Sequence, residues 1–119
     1  MSAWEVEYTN EFEAWWKQLT EEQQEAITAR VALLEQYGPT LRRPYVGEIK
    51  GSAFDPQMKE LICDEGGHLR ILFMFDSRRV AILLWGGDKT GLWDRWYPTA
   101  ILKADDLYGD HLKELENEG

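Results

Sequence analysis

Hydrophobic positions along this chain follow two periods. Between Arg70 and Tyr97 they form two continuous apolar runs, Ile71–Phe75 and Val80–Trp85, separated by the polar Asp76-Ser77-Arg78-Arg79. Runs of that length around a short polar turn predict a buried strand, a tight turn and a returning strand. The second run passes directly into Gly86-Gly87-Asp88-Lys89, which reads as a flexible loop carrying a cation to one end of a sheet. Upstream the spacing becomes helical. Phe12, Trp15, Trp16 and Leu19 make one apolar stripe, with Asn10 and Glu13 spaced as an N-cap and its N3 partner. Thr20 and Gln23 form a candidate capping box for a second helix bearing Ile27, Val31 and Leu34. That helix ends at Tyr37-Gly38-Pro39, where Gly suits the left-handed C-cap and Pro cannot continue.

The remaining segments complete the order. Glu5–Tyr8 reads as a short first strand, Tyr45–Ile49 as extended chain, Met58–Cys63 as a strand, and Glu65-Gly66-Gly67 as a turn. Pro98-Thr99 opens a last helix bearing Ile101, Ala104, Tyr108, His111, Leu112 and Leu115. Gly109 inside it costs about 1 kcal/mol relative to Ala and marks a candidate break. The expected order is β-α-α-β-β-β-α: an α+β domain whose antiparallel sheet carries its helices on one side. At 119 residues the chain reads as a single domain, 1–119.

Composition narrows the class. A hydrophobic share of 44% and six Trp indicate a packed globule. The single Cys63 excludes an internal disulfide and a four-thiolate metal site, and in an apolar strand it reads as an inert core residue. No apolar run approaches a membrane span, and Met1-Ser2-Ala3-Trp4-Glu5 lacks the basic region and apolar core of a signal peptide. A cytoplasmic protein without membrane association is expected. The net charge of −9 argues against bulk affinity for nucleic acid. Its distribution changes that picture: residues 1–40 carry −6, residues 41–103 carry +2, and residues 104–119 carry −5. A mildly basic sheet lies between acidic helical flanks. Solvated acidic helix faces explain this simply; a local cationic site acting on a substrate held by something else is the sharper reading.

Candidate chemistry gathers on that basic segment. Arg70 opens an apolar strand, where an Arg either snorkels at the sheet rim or faces a ligand. Lys89 and Arg95 flank Trp93, and Trp96-Tyr97 follow; cations interleaved with aromatics can neutralise phosphates and stack on bases. The local pattern equally describes Trp covering a sheet end with solvated cations. Gly86-Gly87-Asp88-Lys89 lacks the glycine spacing and Lys-Ser/Thr of a nucleotide phosphate loop, and taken alone it is a turn. His68 falls in a turn and His111 on the apolar face of the last helix, as a boundary residue more than a base. Two histidines without ligand spacing and a single Cys argue against a structural metal site; no cofactor is expected. Acidic pairs such as Asp105-Asp106 read as helix charge preference and solvation.

Several segments together resemble the RelE/ParE superfamily of toxins from type II toxin–antitoxin systems, in its HigB-like, phage-derived-protein-like branch. They are Gly38-Pro39-Thr40-Leu41 with Arg43-Pro44, Ile49-Lys50-Gly51-Ser52, Met58-Lys59-Glu60-Leu61, Arg70-Ile71-Leu72-Phe73 with Phe75-Asp76, and Arg78-Arg79 with Ala81–Leu84. Gly87-Asp88-Lys89, Trp96-Tyr97, and Ala104-Asp105 with Leu107-Tyr108 and His111-Leu112 continue the series in the expected order, over about three quarters of the chain. The resemblance implies a RelE-like fold and a metal-free mRNA endonuclease, an mRNA interferase acting on the ribosome and inhibiting translation. It implies a cognate helix-turn-helix antitoxin as partner and no direct DNA contact. Arg70, Lys89 and Tyr97 would be catalytic, with Lys59, Arg42, Arg95 and Trp93 binding RNA. The chain departs from the pattern at Ala53, Phe54 and Ile62, where relatives commonly carry basic or polar residues. An Arg at 62 would share the sheet face of Arg70. Ala53 and Ile62 favour a second reading, a non-catalytic, antitoxin-binding homologue; a third is a ParE-like inhibitor of gyrase, against which the Lys89 and Tyr97 cluster argues.

Overall fold

The computed structural model describes residues 3–118; Met1, Ser2 and Gly119, the ends of the expected domain, lie outside the described residues. Five strands form one sheet: β1 (Val6–Tyr8), β2 (Val46–Glu48), β3 (Lys59–Cys63), β4 (Leu69–Phe75) and β5 (Ala81–Asp88). Their order across the sheet is β1-β5-β4-β3-β2. The hairpin expected from the apolar runs is the sheet centre. Asp76 N–H donates to Val80 C=O at 2.9 Å to close its turn, and Arg79 takes the left-handed conformation there, φ 67°.

Three helices complete the fold: α1 (Asn10–Trp16), α2 (Glu21–Tyr37) and α3 (Tyr97–Glu118). The box at Thr20 and Gln23 forms with both reciprocal bonds, at 3.1 and 3.0 Å. Gly38 ends α2 at φ 57°, and a Cβ there would also run into the Trp4 indole, so both backbone and space require glycine. Asn10 is not the first cap. Thr9 stands in extended backbone and its hydroxyl accepts from Phe12 N–H at 3.0 Å, leaving Asn10 as the first helical residue. Gly109 does not break α3, which runs through it with open space beside it.

Two features differ from the expected architecture. β1 pairs parallel to β5, Val6 opposite Ala81, because the α1–α2 hairpin crosses back over the sheet before the strand meets its partner. The helices also cover both faces. One core joins Phe12, Ile27 and Leu34 to Leu61, Ile71, Phe73 and Leu83; the other joins Leu72, Met74, Ile82 and Leu84 to Trp96, Ile101, Ala104 and Tyr108. Central strands apolar on both sides call for two covers, and continuous runs without alternation carried that information. Fully buried Leu34 and Leu72 are positions where truncation to Ala costs about 2–5 kcal/mol.

Candidate active site

The α3-side face of the sheet is apolar except at one end. Strand alternation puts Glu60 and Ile62 of β3, Arg70 and Leu72 of β4, and Gly87 of β5 on that face. Arg70 lies directly between Ile62 and Gly87, so the residue at 62 does share its face. Gly86 and Gly87 belong to β5 and not to a loop, because indoles press on them from both sides. Trp15 of α1 occupies the space a Cβ at Gly86 would need, and Trp96 Nε1 would stand 2.6 Å from a Cβ at Gly87. Trp96, in the 3-10 turn Trp93–Trp96, thus closes the rim and sets Tyr97 at the start of α3.

The segment after β5 is anchored. Asp88 Oδ1 accepts from Thr90 Oγ1 at 2.6 Å, Thr90 N–H at 2.9 Å and His68 N–H at 3.1 Å. Burial opposes the Asp88 charge, but these donors outweigh it and hold its carboxyl below the usual range. Lys89 N–H then donates to His68 C=O at 3.0 Å. The cation is therefore delivered by a fixed turn.

Arg70, Lys89 and Tyr97 meet around a residue that sequence reasoning left without a role, Glu60. Tyr97 Oη donates to Glu60 Oε1 at 2.7 Å, and Lys89 Nζ donates to Tyr97 Oη at 3.3 Å. Arg70 Nε stands 3.5 Å from the same Glu60 oxygen but makes no hydrogen bond. Arg70 Nη1 donates to Asp64 Oδ1 at 2.7 Å and to Leu69 C=O at 2.9 Å. His68 Nδ1 lies 3.2 Å from Asp64 Oδ1 and its ring packs edge-on against Trp93, 4.8 Å between centroids. Arg70 and Glu60 are 7% and 6% exposed, whereas the Asp64 side chain is 54% exposed. The one signal for Glu60 was a carboxylate alternating with Leu61 inside a buried strand.

Burial pushes the Tyr97 phenol up, the Glu60 carboxylate adds to this, and Arg70 opposes it; the result is about 12. Tyr97 therefore keeps its proton at neutral pH and acts as a donor. Burial works against the Arg70 charge, yet Asp64 outweighs it and raises its pKa. Asp64 mirrors this: burial opposes its charge, and Arg70 and His68 hold it below the usual carboxylate range. The cluster sets two cations, a proton donor and a carboxylate side by side: Lys89, Tyr97 and Glu60 are hydrogen-bonded in series, and Arg70 stands against Glu60 as an ion pair.

The four residues expected to bind RNA separate. Lys59 alternates with Glu60 and points to the opposite face, its Nζ 3.7 Å from Glu48 Oε1. Arg42 is exposed at the β2 edge, where its carbonyl accepts from Tyr45 and Val46 N–H. Arg95 is exposed on the turn after Lys89 and donates to Gly91 C=O at 3.2 Å. Only Trp93, half-exposed, sits beside the chain, through His68. Asp105 is not merely solvated: it lies inside α3, where Ser52 Oγ and Ala53 N–H both donate to it, at 2.5 and 2.8 Å. Among the described residues no group of acidic, His or Cys side chains is arranged to hold a metal ion, and no helix is long and apolar enough to cross a membrane.

A five-stranded sheet of this order, with a helical hairpin on one face and a helix on the other, is a RelE-type fold. The structure aligns with a free-state mutant of the E. coli toxin RelE at TM-score 0.61, over 87% of this chain and 97% of that one, at 10% identity. Residues 14–109 match the family described as phage-derived protein Gp49-like (DUF891), and the chain belongs to that family. It is 47% identical over 93 residues to the Mycobacterium tuberculosis protein "Putative toxin HigB3", covering 78% of this chain and 80% of the relative. It is 40% identical over 106 residues to "Putative toxin HigB2" of the same organism, covering 87% of this chain and about half, 52%, of that protein's length. The chain is thus a Gp49-like protein related to HigB3 and HigB2, with the fold of RelE.

Proposed function

We propose that this chain is the toxin of a toxin–antitoxin system, working in the cytoplasm as an endoribonuclease on mRNA held by the ribosome and silenced by a helix-turn-helix antitoxin. The toxin role rests on the HigB relatives. The observation that supports the chemistry is the grouping of Arg70 and Tyr97 against Glu60, with Lys89 bonded to Tyr97. The ribose 2′-hydroxyl attacks the neighbouring phosphorus while Glu60 takes its proton. Arg70 and Lys89 hold the phosphate oxygens as charge builds, and Tyr97 gives its proton to the departing 5′-oxygen. The products are a 2′,3′-cyclic phosphate and a 5′-hydroxyl. Preorganised donors of this kind contribute about 10²–10³ each in rate, and positioned proton carriers about 10²–10⁴. An acidic chain binds free RNA weakly, so the ribosome supplies the concentration.

A second reading has its own observation. Arg70 is closed in by two carboxylates and Ile62 stands beside it, an arrangement also expected of a homologue that only binds antitoxin. Primer extension on mRNA from cells expressing the chain separates the two. Cleavage lost in Lys89→Ala and Arg70→Ala supports the nuclease. No cleavage and no growth arrest, with tight binding to the neighbouring gene's product, supports the binding protein.

A further inference from the structure

Beside Arg70 the face carries the apolar side chain of Ile62, and the adjacent strand brings a further cation toward the rim. Gly47 of β2 pairs directly with Glu60, on the same face. A Cβ at Gly47 would stand 3.0 Å from Glu60 Oε2 and 3.1 Å from Arg43 Nη2. The guanidinium and the carboxylate thus face each other across a bare Cα, with no ion pair between them among the described residues. The loop that brings Arg43 there is tied down: Arg42 C=O accepts from Tyr45 and Val46 N–H, and Ile62 N–H donates to Tyr45 C=O at 2.8 Å. Ile62 therefore anchors through its backbone the loop whose Arg43 reaches the face its own side chain leaves uncharged.

The surroundings continue the charge. Arg42, Arg43, Lys50 and Lys59 line a groove of about 1130 Å³ along the free β2 edge; Glu48 is the exposed acidic group lining it, and Asp76 borders it with its side chain wholly buried. In a chain of net charge −9 this is a concentrated basic track, and it extends to Gly47, whose neighbour across the strands is Glu60 of the proposed site. A single strand followed by its backbone needs such a track. We infer that Arg43, admitted by the missing side chain of Gly47, binds an RNA phosphate next to the one being cleaved and serves as a positioning residue for the strand lying in the β2-edge groove. The inference rests on the nuclease reading above. Arg43 does not touch the reacting atoms; it fixes the strand relative to Glu60.

Cleavage on programmed ribosomes and binding of a labelled single-stranded RNA oligonucleotide across a salt series test it together, with Arg43→Gln, Arg43→Lys, Gly47→Ala and the distant control Lys17→Gln. Arg43→Gln is expected to raise KM roughly tenfold, as for one lost charge-assisted hydrogen bond, with kcat within about twofold on the same scale. It should also reduce the salt slope of RNA binding by about 0.7, one phosphate contact on a single strand. Arg43→Lys should restore the slope but only part of the affinity, and Gly47→Ala should weaken binding by crowding both groups. Lys17→Gln should match the parent chain. An unchanged KM and slope in Arg43→Gln, in a chain whose cleavage does depend on Lys89, overturns the inference and leaves the nuclease standing. A slope that falls by one contact in a chain that binds but never cuts RNA supports the binding site and overturns the nuclease. Absence of RNA binding on and off the ribosome overturns the inference, as does a loss confined to antitoxin binding.

Discussion

Each end of the central hairpin carries an acidic residue wrapped by cations, and the two clusters differ in what is left over. At the turn end, the Asp76 side chain is wholly buried and receives five donors: Arg78 and Val80 N–H, two Arg78 guanidinium nitrogens, and His111 Nε2. Arg78 goes on to Glu7, tying β1 to the turn. Burial opposes the Asp76 charge, yet His111 and Arg78 hold its carboxyl below the usual range. At the rim end, Arg70 keeps a buried Nε without a partner, Lys89 makes one long bond, and Asp64 is exposed. A saturated cluster has nothing further to bind and serves as architecture. An unsaturated one holds unused hydrogen-bonding capacity in a low-dielectric setting, where an incoming phosphate gains most.

Substitution at the rim should move chemistry and spare the fold. Lys89→Ala is expected to slow single-turnover cleavage by ~10²–10³ while its melting temperature stays within a few degrees of the parent. A large loss of stability would show that Lys89 belongs to the architecture after all. The turn end should respond in the reverse sense. Asp76→Ala strands two buried N–H groups and the His111 contact, for a loss of about 3 kcal/mol in urea unfolding, with cleavage per folded molecule unchanged. Removing the exposed carboxylate should sharpen the contrast: Asp64→Asn frees Arg70 Nη1 and should tighten RNA binding several-fold, by about 1 kcal/mol, as one charge-assisted bond no longer competes. Weaker binding would make Asp64 a support for Arg70 instead of a competitor.

The smallest expected effect is in acid. Asp76 and Asp64 both have folded-state pKa values below their ordinary 3.8, so their stabilisation is present above that value and is lost as pH falls through the lowered ones. Unfolding free energy should therefore fall steeply below pH 3.8, and Asp76→Asn should flatten that arm more than Asp64→Asn, whose group is half-exposed. Equal flattening would erase the distinction between the two ends.

Much of the fold is legible in the sequence. The hairpin, the capping box at Thr20 and the end of α2 at Gly38 follow from local pattern, because each depends on neighbours in sequence. The basic segment and the family resemblance point to Arg70, Lys89 and Tyr97, and the fold places them side by side. What escaped depends on contacts distant in sequence. Parallel pairing of β1 requires knowing where the helical hairpin deposits the next strand. Glu60 becomes visible only once Tyr97 is found 37 residues later against it. That Lys59 lies apart from the rim is a one-residue matter: the alternation that puts Glu60 on the rim must turn Lys59 to the other face.

The paired glycines at the end of β5 carry one more implication. With an indole against each side, neither position can accept even a methyl group without displacing a tryptophan. The floor of the rim is thus closed to evolutionary tinkering, and diversity among homologues must enter from its perimeter, through the segments bearing Arg43, Asp64, Lys89 and Trp93. On the nuclease reading, editing those borders alone would let a lineage change which message it cuts, or stop cutting altogether. The same frozen floor would let an inactive descendant keep the shape its antitoxin recognises long after the chemistry had gone.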